Sequence, residues 1–171
     1  MSNPSTTNRD FPGMKPWRRM PGDAETLRWI RDRESIRDLP LRYAHGIDTK
    51  DWVKVASVFH ADCEVEGTLS AAPIRPYLEA LEPGVNAYEA TLHFMGNQYV
   101  ELDLEGDPDR GHVETYAVAY HLEAEGSPHA DLLMGVRYCD DVVRVAELED
   151  WRILRRRVIR QWHRGPFPRP S

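Results

Sequence analysis

The chain has 171 residues, 41 % of them hydrophobic, which suits one domain with a real core and excludes a low-complexity chain. Its formal charge is −6, with visible positive clusters only at Lys15, Arg18 and Arg19 and at Arg155, Arg156, Arg157 and Arg160; an acidic chain without a recognisable binding motif argues against nucleic acid as a partner. Cys63 and Cys139, with no recognisable secretory signal ahead of them, read as free thiols in a reducing compartment, and the apolar runs are far short of a membrane span, so a soluble cytoplasmic protein is expected.

Residues 1–22 are rich in Pro, Ser, Thr, Asn and Arg without apolar periodicity, and read as an arm that Phe11 or Trp17 could pin to the domain surface. Asp23 suits an N-cap for a helix opening at Ala24, with Leu27, Ile30, Ile36, Leu39, Tyr43 and Ile47 on its buried side. Pro40 falls inside that pattern and predicts a kink or break near Leu39. A second helix follows at once, with Trp52, Val55, Ala56 and Phe59 on one face. Asp48 stands where the first helix runs out, near carbonyl ends that disfavour a carboxylate. Two readings stand there: Asp48 or Thr49 caps the second helix, or Asp48 belongs to a functional site, where local conflicts concentrate.

Asp62 to Thr68 reads as a short strand, and Ile74 to about Leu81 as a third helix closed by Pro83-Gly84. Four long strand-like segments follow, Thr91 to Leu102, His112 to Glu123, Leu132 to Val145 and Trp151 to Trp162, separated by turn-forming stretches. Helices first and long strands afterwards predict an α+β domain over residues 23–163 with a mostly antiparallel sheet, ahead of a Pro-rich tail at 164–171.

Side chains alternate along a strand, so Thr91, His93, Met95, Asn97 and Tyr99 share one face while Leu92, Phe94, Val100 and Leu102 share the other. The mixed row suits a pocket and the apolar row a subunit interface. Thr115, Ala117, Ala119 and His121 make a second pocket-like face, small residues beside a titratable group. Three consecutive arginines cannot face one way, so at least one of Arg155, Arg156 and Arg157 turns inward, where it needs a carboxylate such as Glu114 or Asp48, or an anionic ligand. Seven histidines are present without a His-x-x-x-His helix pattern, a Cys-x-x-Cys pair or a carboxylate loop, and phosphate loops and nucleophile elbows are also missing. No metal and no cofactor is expected; what remains is acid–base chemistry.

Three motifs together, Arg42-Tyr-Ala-x-x-Ile-Asp-x-x-Asp-Trp52, Thr91-x-His-Phe-x-Gly-Asn97 and Asp150-Trp-Arg-Ile-x-x-Arg-Arg157, resemble the SnoaL-like branch of the nuclear transport factor 2-like superfamily, the branch of scytalone dehydratase, bile-acid 7α-dehydratase and hexachlorocyclohexane dehydrochlorinase. The resemblance covers residues 24 to 162 and implies a cone-shaped, curved antiparallel sheet closed by the N-terminal helices. It implies further that Asp48 and His93 form a proton-abstracting dyad with Tyr43 close by, that His121 and Arg156 reach the pocket, and that sheet surfaces associate into a homotrimer, with a dimer as the alternative. Residues that scytalone dehydratase uses on other pocket walls are replaced near Gly67 and Met134, which argues against the same substrate.

The residue types fit that chemistry. Imidazole titrates near neutrality and abstracts a proton when a carboxylate fixes its tautomer. Tyr43 can donate to a developing enolate, and His121 or Asn97 can assist a departing hydroxyl. The expectation is a cofactor-independent lyase, a dehydratase-like β-elimination on a hydrophobic cyclic or polyketide-like molecule, with Asp48, His93 and Tyr43 catalytic and His121, Asn97, Arg156, Met95 and Trp52 contacting substrate. A polyketide cyclase, an isomerase and a non-catalytic binding subunit are the alternatives.

Overall fold

The computed structural model describes residues 22–103 and 106–167; the arm over 1–21, with Phe11 and Trp17, and the tail beyond 167 lie outside the described residues. Helix α1 (Asp23–Asp48) leads through α2 (Trp52–Ser57), β1 (Phe59–Glu66), β2 (Ala71–Pro73) and α3 (Ile74–Asn86) to β3 (Ala90–Leu102), β4 (Arg110–Leu122), β5 (Leu132–Val145) and β6 (Asp150–Arg164). The strands form one sheet in the order β2-β1-β6-β5-β4-β3. Every pairing is antiparallel except β1 with β6, so the sheet is mixed, and the architecture is α+β as the sequence predicts. Among the described residues no helix is long and apolar enough to cross a membrane.

Ile36, Leu39, Tyr43 and Ile47 recur on one face of α1 and are all buried, but Leu27 and Ile30 are exposed at 66 % and 45 %, so the buried stripe begins a turn later than the periodicity suggests. Pro40 does not break the helix. It forfeits one backbone hydrogen bond, yet burial of Ile36, Leu39 and Tyr43 on both sides of it holds the axis through. The helix opens at Asp23 itself, with Gly22 rather than Asp23 at the cap position.

The turn after α1 settles what the residues around Asp48 do. Lys50 takes a left-handed backbone (φ 55°), and Asp51 caps α2 by accepting from the Lys54 N–H at 3.0 Å. Thr49 instead donates its hydroxyl to the His45 carbonyl at 2.7 Å. Neither Asp48 nor Thr49 caps α2, which leaves the Asp48 carboxylate free to reach the sheet. Phe59, predicted on α2, opens β1, because α2 stops after two turns at Ser57. Helix α3 continues through Pro83 to Asn86, past the predicted stop, and β2 is a short strand without a sequence signal of its own.

One register irregularity decides which side chains face inward. Between Met95 and Gln98 β3 advances three residues while its partner moves only from Ala117 to Thr115. This bulge inverts the alternation that follows it. Val100 and Leu102 therefore pack on the core beside Met95, while Tyr99 turns outward at 58 % exposure. The predicted apolar row of four is corrected to Leu92 and Phe94, exposed at 55 % and 67 % and joined on the outer face by Tyr116 and Trp162. Gln98 turns inward in place of Asn97 and ties β3 to α1, donating to the Arg37 carbonyl at 2.8 Å and accepting from Arg37 Nε at 3.2 Å.

Candidate active site

The second and fourth residues of β3, Thr91 and His93, converge on the carboxylate of the C-terminal residue of α1. Asp48 Oδ1 accepts from His93 Nδ1 at 2.7 Å and from the Thr91 hydroxyl at 2.9 Å, and its Oδ2 accepts from the His93 backbone N–H at 2.8 Å. A carboxylate at a helix C-terminus is electrostatically misplaced, and these donors, which come from another element, compensate it. Burial pushes the Asp48 carboxyl up, but the hydrogen bonds from His93 and Thr91 outweigh it and hold the group below its ordinary value. An ionised carboxylate only accepts, so in the neutral form of the imidazole Nδ1 carries the proton and Nε2 the lone pair.

Beside this pair lies a cavity of about 470 Å³, walled mainly by apolar side chains from α3, the strands and the C-terminal segment. Tyr43 and His121 are on its wall; Asp48 and His93 stand behind it. The side chain of His93 is only 5 % exposed, and its ring meets that of His121 edge to face at 5.8 Å. His121 also packs against Tyr88 at 5.0 Å. Burial, followed by the nearby charge of His93, lowers the His121 pKa to about 4, so its imidazole is neutral at physiological pH. Ala117 and Ala119 precede it on β4 and are buried, and Ala119 contributes its small side chain to the wall.

Of the three consecutive arginines, Arg156 points inward and is 1 % exposed, whereas Arg155 and Arg157 are exposed. Its partner is Asp140 on β5, not Glu114 or Asp48: two parallel hydrogen bonds of 2.7 Å join Nε and Nη2 to the carboxylate. Glu114 is taken by Arg137 at 3.1 Å on the outer face. The guanidinium of Arg156 lies 4.3 Å from the Tyr43 ring centroid and 4.7 Å from that of Tyr138. Burial opposes its charge, but Asp140 more than compensates and Arg156 stays ionised.

The remaining predicted contact residues lie elsewhere. Asn97 is exposed and lines a shallow hollow on the outer face with Phe94, Tyr116 and Trp162, because the bulge turns it away from His93. Trp52 packs beside the core and donates its indole N–H to Asn86 Oδ1 at 3.3 Å, and Met95 packs on the core as well; neither is on the cavity wall. Wall residues that sequence reasoning missed include Tyr77, Tyr88, Tyr138 and Phe167. Tyr138 was accessible to it, since it alternates with Met134 and Val136 on a strand; Tyr77 and Phe167 carry no local signal that separates pocket from core.

Among curated proteins no relative is matched. Solved structures give clear neighbours: a chain named for scytalone dehydratase from Novosphingobium aromaticivorans is 20 % identical with TM-score 0.69, covering 85 % of this chain and 99 % of that one. A protein from Kribbella flavida is 26 % identical with TM-score 0.67, covering 83 % and 95 %. A hexachlorocyclohexane dehydrochlorinase, LinA type 3, from Novosphingobium barchaimii is 16 % identical with TM-score 0.69, covering 84 % and 95 %. The helix-closed sheet found here is the architecture these neighbours share, and the SnoaL-like domain family is matched over residues 28–157, the span from α1 to the inward arginine of β6. The chain therefore belongs to the SnoaL-like domain family.

Proposed function

We propose that this protein is a cofactor-independent lyase that removes water from a hydrophobic cyclic or polyketide-like molecule. The observation that carries the reading is the Asp48 carboxylate, bonded at once to His93 Nδ1, the His93 N–H and the Thr91 hydroxyl. His93 Nε2 takes a proton from the carbon next to a carbonyl, and Asp48 stabilises the imidazolium that forms. Tyr43 donates to the carbonyl oxygen as it gains charge. The electron pair of the broken C–H bond becomes the new C=C bond, and the β-hydroxyl leaves as water with a proton returned by the imidazolium, His121 standing beside it. The neighbours named for a dehydratase and a dehydrochlorinase support elimination as the reaction type.

A screen of β-hydroxylated cyclic ketones for loss of water, read by mass spectrometry, tests this. Turnover that vanishes in His93→Ala supports the dyad; full turnover in both His93→Ala and Asp48→Asn overturns it. The burial of His93 behind the wall favours one other reading, a non-catalytic small-molecule-binding subunit, and the same two variants separate the two. The outer face, where Leu92, Phe94, Tyr116 and Trp162 are each between 46 % and 67 % exposed, supports the homotrimer that the family resemblance implies. Light scattering at micromolar concentration should report three copies, and a monomer would refute that assembly.

A further inference from the structure

The wall of the cavity holds three phenols from three elements, Tyr43 on α1, Tyr77 on α3 and Tyr138 on β5. Tyr43 and Tyr138 are buried at 7 % and 4 % exposure, and Tyr77 packs against the same core cluster. None of the three hydroxyls is among the described buried polar atoms sealed off without a partner, and all three residues line the cavity, so their oxygens open on it. A hydroxyl that opens on a cavity takes its partner from what fills the cavity, so three of them on one wall mark a place where something bearing oxygen or nitrogen is received. The surroundings say which. Burial is the leading cause that keeps all three phenols protonated, while the positive charge of Arg156 acts on each of them in the opposite sense. A cation close to a phenol strengthens its O–H as a donor, and the Arg156 guanidinium is fixed there by Asp140 with its Nη1 unpartnered. A cluster of polarised donors accepts a carbonyl or enolate oxygen and offers little to a halocarbon.

Tyr77 is the member whose placement the sequence around it arranges most visibly. Gly67, just past β1, lies beneath its ring: a Cβ there would sit 2.5 Å from the Tyr77 hydroxyl and 2.7 Å from Cε2. These are distances that real Cβ atoms essentially never show, so any side chain at 67 displaces the phenol. Glycine at 67 leaves the phenol this place, and what makes it matter is that contact and not its backbone angle.

We infer that Tyr77, held over Gly67, is a specificity-determining residue that works with Tyr43 and Tyr138 to receive a substrate carbonyl oxygen, so that the cavity selects cyclic ketones over hydrocarbons and halocarbons of the same shape. The inference rests on the lyase reading for the word substrate, but its test is a binding measurement that does not depend on turnover. α-Tetralone and tetralin, a bicyclic ketone and its hydrocarbon counterpart, are titrated against the full-length protein by calorimetry. Tetralone should bind at least about fivefold more tightly, and Tyr77→Phe, which removes one oxygen, should cut the preference by roughly three- to tenfold, the range of one net hydrogen bond. Gly67→Ala should do the same through displacement, with tetralin binding little changed. His93→Ala should keep the preference whether or not turnover survives, which separates a failed dyad from a failed ketone site. Equal binding of the two compounds, binding of neither, or an unchanged preference in Tyr77→Phe overturns the inference; because that variant changes no packing volume, a Gly67→Ala protein that fails to fold does not shelter it.

Discussion

The same chemical pair occurs twice on opposite faces of the sheet. His93 Nδ1 lies 2.7 Å from Asp48 Oδ1 on the inner face, and His112 Nδ1 lies 2.7 Å from Asp141 Oδ1 on the outer face. Distance alone does not separate them. What differs is surroundings: the side chains of His93 and Asp48 are 5 % and 22 % exposed, those of His112 and Asp141 21 % and 53 %. Asp48 also receives two further donors and stands beside a cavity, whereas His112 has Glu114 at 3.8 Å and a half-exposed partner in Asp141. In water the pair is screened and its geometry is one of many that the side chains sample; enclosed and over-bonded, it has one geometry and a strengthened field. An Asp–His contact becomes a candidate dyad through what encloses it.

The most forceful way to break this comparison is to remove each histidine. His93→Ala should lose turnover by roughly 10³- to 10⁴-fold, and Asp48→Asn by a similar order through the wrong tautomer, both measured as initial rates on the best compound from the ketone screen. Loss of similar size in His112→Ala would erase the distinction drawn here.

The Asp140–Arg156 pair sharpens it from another side, as a buried ion pair too symmetric and too enclosed to move a proton. Asp140→Asn leaves a guanidinium uncompensated in the core and should cost about 3–5 kcal/mol in urea denaturation. The double replacement Asp140→Leu with Arg156→Met should recover most of that, since paired removal leaves no orphan charge. A single variant as stable as the parent would mean that the pair is more hydrated than its 0 % and 1 % exposures say.

A third effect is linked to pH. The folded-state pKa of His121 is about 4 against an ordinary 6.5, so between those values the unfolded chain binds more protons. Stability should therefore rise with pH through that window and be lost as pH falls from about 6.5 towards about 4, by ~3 kcal/mol at most. The contribution of Asp48 has the same sign but is lost lower, as pH falls below its ordinary 3.8 towards its depressed folded value. His121→Gln should flatten the upper limb of the urea midpoint against pH and leave the lower limb; parallel curves for variant and parent would contradict the burial of a neutral imidazole. Smallest of all, His112→Ala should change stability by no more than ~0.5 kcal/mol, because its pair is exposed to solvent.

Local pattern in the sequence determined a good deal. Periodicity placed α1, β4 and β5 within a residue or two, the order of helices and strands gave the α+β class, and the motif resemblance named Asp48 and His93, two side chains that hydrogen-bond in the structure. Alternation also required that one arginine of three turn inward. Tertiary structure alone decided the rest, for reasons that no local window contains. Pro40 stays helical because the packing of its neighbours outweighs one lost hydrogen bond. The bulge after Met95 is set by pairing with β4, and a one-residue shift sends Asn97 and Tyr99 out and Gln98, Val100 and Leu102 in. Arg156 takes Asp140 because strand order sets β5 beside β6, and Tyr77 reaches the cavity because α3 packs against β1 and residue 67, just past that strand, has no side chain. Partner choice between elements distant in sequence depends on register and strand order, and these are fixed only when the whole sheet closes over its core.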